Sequence, residues 1–541
     1  MEFGEPVESF NRFNIPYVLY RLRAAPVKNR LLSLGVDRIH FLLDIEQSAG
    51  IKSIESLVKG TYDIMTRSTF VAAARTALCV ALLATLYGYP AQAQNAVATK
   101  ATPDAYDWNN RPPDPRFKAD ILVVVAHPDD EIMVAAYLAR EIYDHHKRVA
   151  VVFQNPGDGG NNDVGPEQAT ALGDIRQIEG RTAVASLGIT NVWFLNGHDT
   201  ASQNVLTSLE HCGHGGCLDQ LVRIVRITRP SVILTWLPDF ATGENHADHQ
   251  AAGVLATEAF DLAGDPTAFS EQVSPATHPN VAMNMTEALR PWQPEKIYYV
   301  YNPTHDIFEG QGPQYSSSEI SPSQHESYGL MAAREVSHHV TQGGGEVAKE
   351  IQNHTAETSP EELTKFAMQP VKFIFGKSLV PSGVTDDIFA GVVEDGVPFQ
   401  RAPGYTAVKY SEPTLLIGDP WAFYHKFWQA HGLEHLKALV PLEISIHTNG
   451  VFYIPLIIEN PLDHAIDVDL SAQAPAQWKV RPLAPLSVPA HAEYYARVTA
   501  DAPATKLPGW QNFTVTAESA GKSLGKIPIR VELSNGWVAP Q

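Results

Sequence analysis

Six consecutive apolar residues, Ile121-Leu-Val-Val-Val-Ala126, end abruptly in His127-Pro-Asp-Asp-Glu131. Nothing in the run alternates, so it fits a strand covered on both faces, which arises where helices flank a parallel sheet. The segments that follow keep to that plan. Glu131–Asp144 spaces Ile132, Ala135, Ala136, Leu138, Ala139 and Ile142 at helical intervals. Arg148–Phe153 reads as a second strand, Gly173–Leu187 as a helix stopped by Gly188, and Val192–Leu195 as a third strand. Leu218–Ile227 is helical, Val232–Trp236 is a fourth strand, Ala247–Phe260 is helical, and Lys296–Tyr301 is a last strand. Strands alternating with helices predict an α/β domain over residues 119–301, with a doubly wound parallel sheet and right-handed crossovers.

The rest of the 541 residues is too long to belong to that one core. Residues 441–541 carry seven short runs, often alternating, separated by Pro, Gly and Asn: Leu442–His447, Val451–Glu459, Ala465–Leu470, Trp478–Arg481, Ala492–Thr499, Asn512–Ala517 and Ile527–Leu533. Such spacing predicts an all-β, immunoglobulin-like sandwich. Residues 302–440 mix helical patches with Gly-, Ser- and Pro-rich loops and extend the α/β domain, and 94–118 is an entry linker.

Upstream, Met65 opens a different kind of segment. Arg67 and Arg75 precede an apolar run from Thr76 to Gly88, and Ala91-Gln92-Ala93 supplies a small-x-small cleavage site. This layout predicts a signal peptide over 65–93 and an exported, periplasmic or extracellular protein beginning at Gln94. The run falls short of the roughly 20 residues that cross a bilayer, so no stable membrane span is expected once the signal is removed. Residues 1–64 carry no motif and read as an extension from a mis-called start. Cys79 would leave with the signal, so Cys212 and Cys217 remain. In His211-Cys-Gly-His-Gly-Gly-Cys217 they could close a disulfide loop, stay free, or join His211 and His214 around a metal. Acidic residues outnumber basic ones 60 to 40, a formal charge of −20, which argues against a nucleic-acid partner.

The chemistry gathers where open α/β sheets place ligands, beyond the C-terminal ends of strands. His127-Pro-Asp129-Asp130 follows the first strand and His246-Ala-Asp-His249 follows the fourth. A hydrolytic zinc site needs three imidazole or carboxylate ligands, a position left for water, and a base nearby. His127, Asp130 and His249 can supply the ligands from two adjacent loops. Asp129 is then left as the base, and His246, three residues before His249, faces the substrate carbonyl. Taken singly these residues are weak signals. An Asp pair at a helix start is ordinarily an N-cap, and most of the 21 histidines need no chemical role. Both motifs sitting at the ends of buried strands is what sets them apart.

The run Ala126-His-Pro-Asp-Asp-Glu131 after a hydrophobic strand resembles the hallmark of the PIG-L/LmbE-like zinc-dependent deacetylases. The resemblance continues through Asn155-Pro-Gly-Asp-Gly-Gly-Asn-Asn162, Leu172-Gly-Asp-Ile-Arg-Gln-Ile-Glu179, His246-Ala-Asp-His249 and Ser337-His-His-Val-Thr-Gln342, covering about residues 119–345. It implies a Rossmann-like fold, a Zn2+ cofactor, and removal of an acetyl group from an N-acetylated sugar substrate. It further implies His127, Asp130 and His249 as ligands, Asp129 as general base, His246 as acid or oxyanion stabiliser, and Arg176 and Asp199 at the substrate. Two positions depart from the pattern. Ala247 stands for the usual Pro, and Glu244 stands where some relatives carry a Tyr near the oxyanion. The motifs leave room for a non-catalytic glycan-binding protein on the same scaffold, and for a zinc amidohydrolase acting on a non-sugar amide.

Overall fold

The computed structural model describes residues 7–10, 16–19, 114–274, 287–301, 308–504 and 509–534. It divides into two units, residues 1–104 and 105–541. In the first, Val7–Phe10 pairs antiparallel with Pro16–Leu19. The expected signal peptide, 65–93, lies outside the described residues, as does most of the linker.

The second unit is built on the parallel sheet that the sequence predicts. Its strands are β1 (Ile121–Val125), β2 (Val149–Phe153), β3 (Asn191–Phe194), β4 (Val232–Trp236) and β5 (Lys296–Val300). They lie side by side in the order 3-2-1-4-5, all parallel. Every residue of β1, β2, β4 and β5 is buried. A sixth strand, β6 (Ile374–Ser378), closes the β5 edge in the antiparallel sense. It comes from the segment with no assigned sequence pattern, so the sheet draws on residues beyond 301.

Because successive side chains leave a strand on opposite faces, β1 contributes to two cores. Ile121, Val123 and Val125 pack with Ala135, Leu138 and Ala139 of helix α1 (Ile132–Tyr143). Leu122 and Val124 pack instead with Leu221 and Val225 of α4 (His214–Thr228) and with Leu255 and Ala259 of α5 (Ala247–Leu262). The remaining helices before β5 include α2 (Thr170–Ser186), stopped by Gly188 at φ 89°, and α3 (Val205–Cys212). Helix α6 (Tyr328–Val336) joins the first core through Met331, Ala332 and Val336. Its position over α1 is fixed by Asp144, whose carboxylate accepts from Ser321 Oγ at 2.6 Å and Tyr328 OH at 2.8 Å. The strand order reverses between β1 and β4, so the crevice at their C-terminal ends is where this architecture binds ligands.

The C-terminal region forms two stacked sheets. One runs β7 (Thr414–Ile417), β9 (Val451–Asn460), β13 (Ala492–Asp501), β11 (Lys479–Val480). The other runs β8 (Glu443–His447), β15 (Lys522–Ser534), β14 (Gln511–Ser519), β10 (Ile466–Gln473), β12 (Leu486–Val488). Phe452 of β9 meets Phe513 of β14 across the interior, ring centroids 5.6 Å apart, and Trp478 packs on Phe513 at 4.8 Å. All pairings are antiparallel except β8 with β15. Strand β7 lies upstream of residue 441, so this region also recruits chain from the 302–440 segment. Cys212 and Cys217 form a disulfide, Cα atoms 6.0 Å apart, bridging the α3–α4 corner at Gly213. No helix among the described residues is long and apolar enough to cross a membrane.

Candidate functional site

The turn after β1 is shaped by Asp130. Its Oδ2 accepts three hydrogen bonds, from Ala126 N at 2.8 Å, His127 N at 3.1 Å and Trp236 Nε1 at 2.9 Å. That saturates one oxygen and ties the end of β1 to the end of β4. The other oxygen, Oδ1, faces His249 Nε2 at 3.1 Å and His127 Nδ1 at 3.8 Å. Burial raises the Asp130 carboxyl, but His249 and His127 outweigh it and hold it well below the usual carboxylate range.

His249 is oriented by its other ring nitrogen. Nδ1 lies 3.0 Å from the Gly243 carbonyl oxygen, which can only accept, so Nδ1 carries the proton and Nε2 is free to ligate. Its ring stacks on Trp236, centroids 4.5 Å apart at 15°. Gly243 has no substitute here: at φ 49°, a Cβ would fall 1.8 Å from His249 Nδ1. His246 by the same logic donates Nε2–H to the Thr200 carbonyl. Its imidazole is pushed down to about 4 by burial and by the neighbouring His127 and His249, so it is neutral at rest.

His127 stands at the centre, its ring 4.9 Å from that of His246 and 5.1 Å from that of His249. Its Nε2 faces Asp248 Oδ2 at 3.4 Å and Asp199 Oδ1 at 3.5 Å. Burial alone would lower this imidazole, but Asp199, Asp130 and Asp248 together hold it well above its ordinary value. Asp248 is fully buried and accepts from Thr200 N at 2.9 Å, Thr200 Oγ1 at 3.0 Å and Asn155 Nδ2 at 3.2 Å. Among the described residues three sets of ligand atoms lie mutually within 4.8 Å: His127, His246 and His249; His127, Asp199, His246 and Asp248; and, apart from these, Glu131, Glu335 and His339. A dense group of imidazoles and carboxylates suits a divalent cation of borderline hardness.

Asp129 occupies a backbone conformation that few side chains adopt, φ 115°. Its amide donates to Glu131 Oε2 at 2.9 Å. Burial, then the adjacent Asp130, pushes its carboxyl up to about 7. Arg176, expected at the substrate, spends Nη1 on Gly157 O at 2.8 Å and Nη2 on Asn161 O at 2.7 Å, and so clamps the 157–161 loop. A Cβ on Gly160 would sit 2.5 Å from Arg176 Nη1, which explains the bare backbone there. Asp199 stands beside His127, its amide held by Asp158 Oδ1 at 2.9 Å.

The structure therefore gathers His127, Asp130, His246, His249 and Asp199 at one point, with Asp129 in the same turn. Sequence reasoning gave no role to Asp248, although it lies inside the His246–His249 motif. Trp236, Thr200, Asn155 and Gly243 act through contacts that no local pattern announces.

The gathered imidazoles and carboxylates could hold a metal ion at the switch point of a doubly wound sheet. Residues 122–260 match the family model described as PIG-L, GlcNAc-PI de-N-acetylase. Over that segment the chain is similar to the PIG-L/LmbE-like family. It is similar to the 1D-myo-inositol 2-acetamido-2-deoxy-alpha-D-glucopyranoside deacetylase of Streptomyces scabiei, 29% identical over 37% of this chain and 62% of that one. The protein of the same name from Streptomyces griseus is 32% identical over 31% of this chain and 56% of its own. The chain thus spans about 60% of the length of these relatives. Among solved structures it is similar to the N,N'-diacetylchitobiose deacetylase of Pyrococcus horikoshii, at 18% identity and TM-score 0.30 over 47% of this chain and 83% of that one.

Proposed function

We propose that this chain hydrolyses the N-acetyl group of a GlcNAc-type glycoside, glycolipid or glycan, with zinc held by His127, Asp130 and His249. The observation that carries the reading is the division of labour at Asp130. One oxygen is saturated by the fold, and the other is left facing two imidazoles. Two imidazoles and one carboxylate make up a hydrolytic rather than a structural zinc site, and His249 already presents an unprotonated nitrogen to it. Zinc bound there supplies Lewis acidity to the acetyl carbonyl and to the attacking water.

The chain's own residues do the remainder. Asp129 takes the proton of the attacking water, from a turn that holds its backbone fixed. His246 delivers a proton to the departing amine. Since it is neutral at rest, that proton is acquired during turnover. Asp248 and Asp199 keep His127 in place, and the clamp from Arg176 to the 157–161 loop shapes the mouth. Export to an oxidising compartment belongs to the same proposal, and the Cys212–Cys217 disulfide supports it. So does an immunoglobulin-like accessory role for the C-terminal sheets.

The test is acetate release by the purified protein from N-acetylglucosaminyl glycosides carrying inositol, lipid or oligosaccharide aglycones, with and without a chelator. Chelator-sensitive release from at least one class is expected. Stoichiometric zinc with no release from any of them would defeat the hydrolytic reading and leave a sugar-binding scaffold. Secreted material is expected to begin at or near Gln94, and full-length cytoplasmic protein would refute export.

A further inference from the structure

We propose that His339 is a positioning residue for Asp129, acting through Glu131. It lies far outside the 122–260 segment that carries the family match, on the turn after α6. The proposal rests on Asp129 being the base, as assigned above.

Three observations converge. First, Asp129 sits at φ 115°, a positive-φ conformation that is strained for a residue with a side chain, so something must hold it there. Second, the hold is Glu131. Oε2 accepts the Asp129 amide at 2.9 Å, and Oε1 accepts His339 Nε2–H at 2.8 Å. Third, the relay is dry: Glu131 is 1% exposed, and His339 and Glu335 are 0% exposed. Glu335 Oε1 lies 3.9 Å from His339 Nε2, the same nitrogen that donates to Glu131.

A buried carboxylate with one amide as its only donor is under-solvated and will turn to find another partner. His339 supplies that second donor, and its ring is fully buried. Glu131 is thereby prevented from rotating, and the peptide it grips keeps the Asp129 carboxylate aimed into the crevice. The same turn grips a second part of the site. Thr341 donates N–H and Oγ1–H to Glu179 at 3.0 and 2.6 Å, on the helix that carries Arg176.

His339→Leu is expected to lower kcat roughly 10–100-fold, the range for partners one step removed from a site, with KM and zinc content little changed. His339→Gln, which can still place an N–H near the Nε2 position, should recover most of that loss. A merely structural role would not predict the decisive readout. In an Asp129→Asn background, His339→Leu should cost nothing further, because the group it positions is gone. An equal further loss in that background would overturn the proposal. So would two metals per chain by elemental analysis with one lost in Glu335→Gln, since Glu131, Glu335 and His339 would then be ligands. Amide exchange at Asp129 reads the same contact without activity. If exchange accelerates in His339→Leu but no substrate is ever hydrolysed, the deacetylase reading fails while the positioning stands. Unchanged exchange together with unchanged kcat removes His339 from the relay.

Discussion

Asp130 does separate work with its two oxygens, and two substitutions separate them. Asp130→Asn can place its amide oxygen where Oδ2 now accepts from Ala126 N, His127 N and Trp236 Nε1. Its NH2 then takes the Oδ1 position, facing His249 Nε2 at 3.1 Å, where an amide donor cannot ligate a cation. Asp130→Ala removes both oxygens and leaves three donors unmade at the junction of β1 and β4. At about 1–3 kcal/mol for each buried group left without a partner, three of them cost at least about 3 kcal/mol. Urea unfolding with a chelator present isolates that cost, because zinc no longer contributes to either protein. Metal-free Asp130→Asn loses the pairing of Oδ1 with His249 and His127 but keeps the three hydrogen bonds, so it should stay more stable than Asp130→Ala, which loses these as well and with them about 3 kcal/mol or more. Elemental analysis after dialysis should find zinc depleted in both. If Asp130→Asn keeps stoichiometric zinc, Asp130 is not a ligand. If it is as unstable as the alanine variant, the three hydrogen bonds are not what holds the turn.

Asp129→Asn should retain zinc and fold but lose about 10²–10⁴ in single-turnover rate, and near-full activity would move the base elsewhere, to His246 first. Its stability effect has a definite sign in metal-free protein. A carboxyl raised from 3.8 to about 7 contributes stability that is fully present below pH 3.8 and lost as pH rises through 7. Metal-free Asp129→Asn should therefore be the more stable protein at pH 8, with the gap closing toward pH 4 in urea titrations. Asn245→Gly keeps the left-handed backbone at φ 63° but cuts the bond from Asn245 Nδ2 to Ser445 O at 3.1 Å, a loss of about 1 kcal/mol. A several-fold fall in kcat with both sheets of the C-terminal region intact by circular dichroism is expected, and an unaffected kcat would show that the tie does not reach the site.

The parallel sheet was legible because its central strands are buried on both faces and so leave uninterrupted apolar runs, as Ile121–Val125 does. Strand β6 was not, because Ile-Phe-Gly-Lys-Ser at an edge has neither a continuous nor an alternating pattern, and only its pairing with β5 makes it a strand. Helix α3 was missed although its ends carry signals: Asn204 caps Leu206 N at 3.0 Å, and Gly213 follows its last residue at φ 65°. At eight residues it is too short for its periodicity to stand out. In the site, His127, Asp129, Asp130, His246 and His249 lie in two tight motifs at the ends of buried strands, which is what made them legible. Arg176 shows the limit of a motif, since only the fold reveals that both its terminal nitrogens are committed to the 157–161 loop.

The residues that hold those side chains in place are spread differently from the side chains themselves. The proposed ligands and base all fall within residues 122–260, the segment matched by the family model. Their supports do not. The turn ahead of His246 is pinned through Asn245 to Ser445 of β8, and Gln250, one residue past His249, receives a hydrogen bond from Tyr424 OH at 2.9 Å. Trp428 Nε1 donates to Pro238 O at 2.8 Å, just after β4, and His339 reaches Glu131, whose other oxygen holds the Asp129 amide. Each contact crosses at least 170 positions of sequence, from Gln250–Tyr424 at 174 to His339–Glu131 at 208. A two-motif metal centre on short loops needs rigid backing, because misplacing a catalytic group by about 1 Å can cost 10²-fold. Here that backing comes from the downstream segment and the C-terminal sheets. Under the proposed function, those regions support the site, and a chain cut after β5 would keep every proposed ligand while losing the contacts that hold their loops.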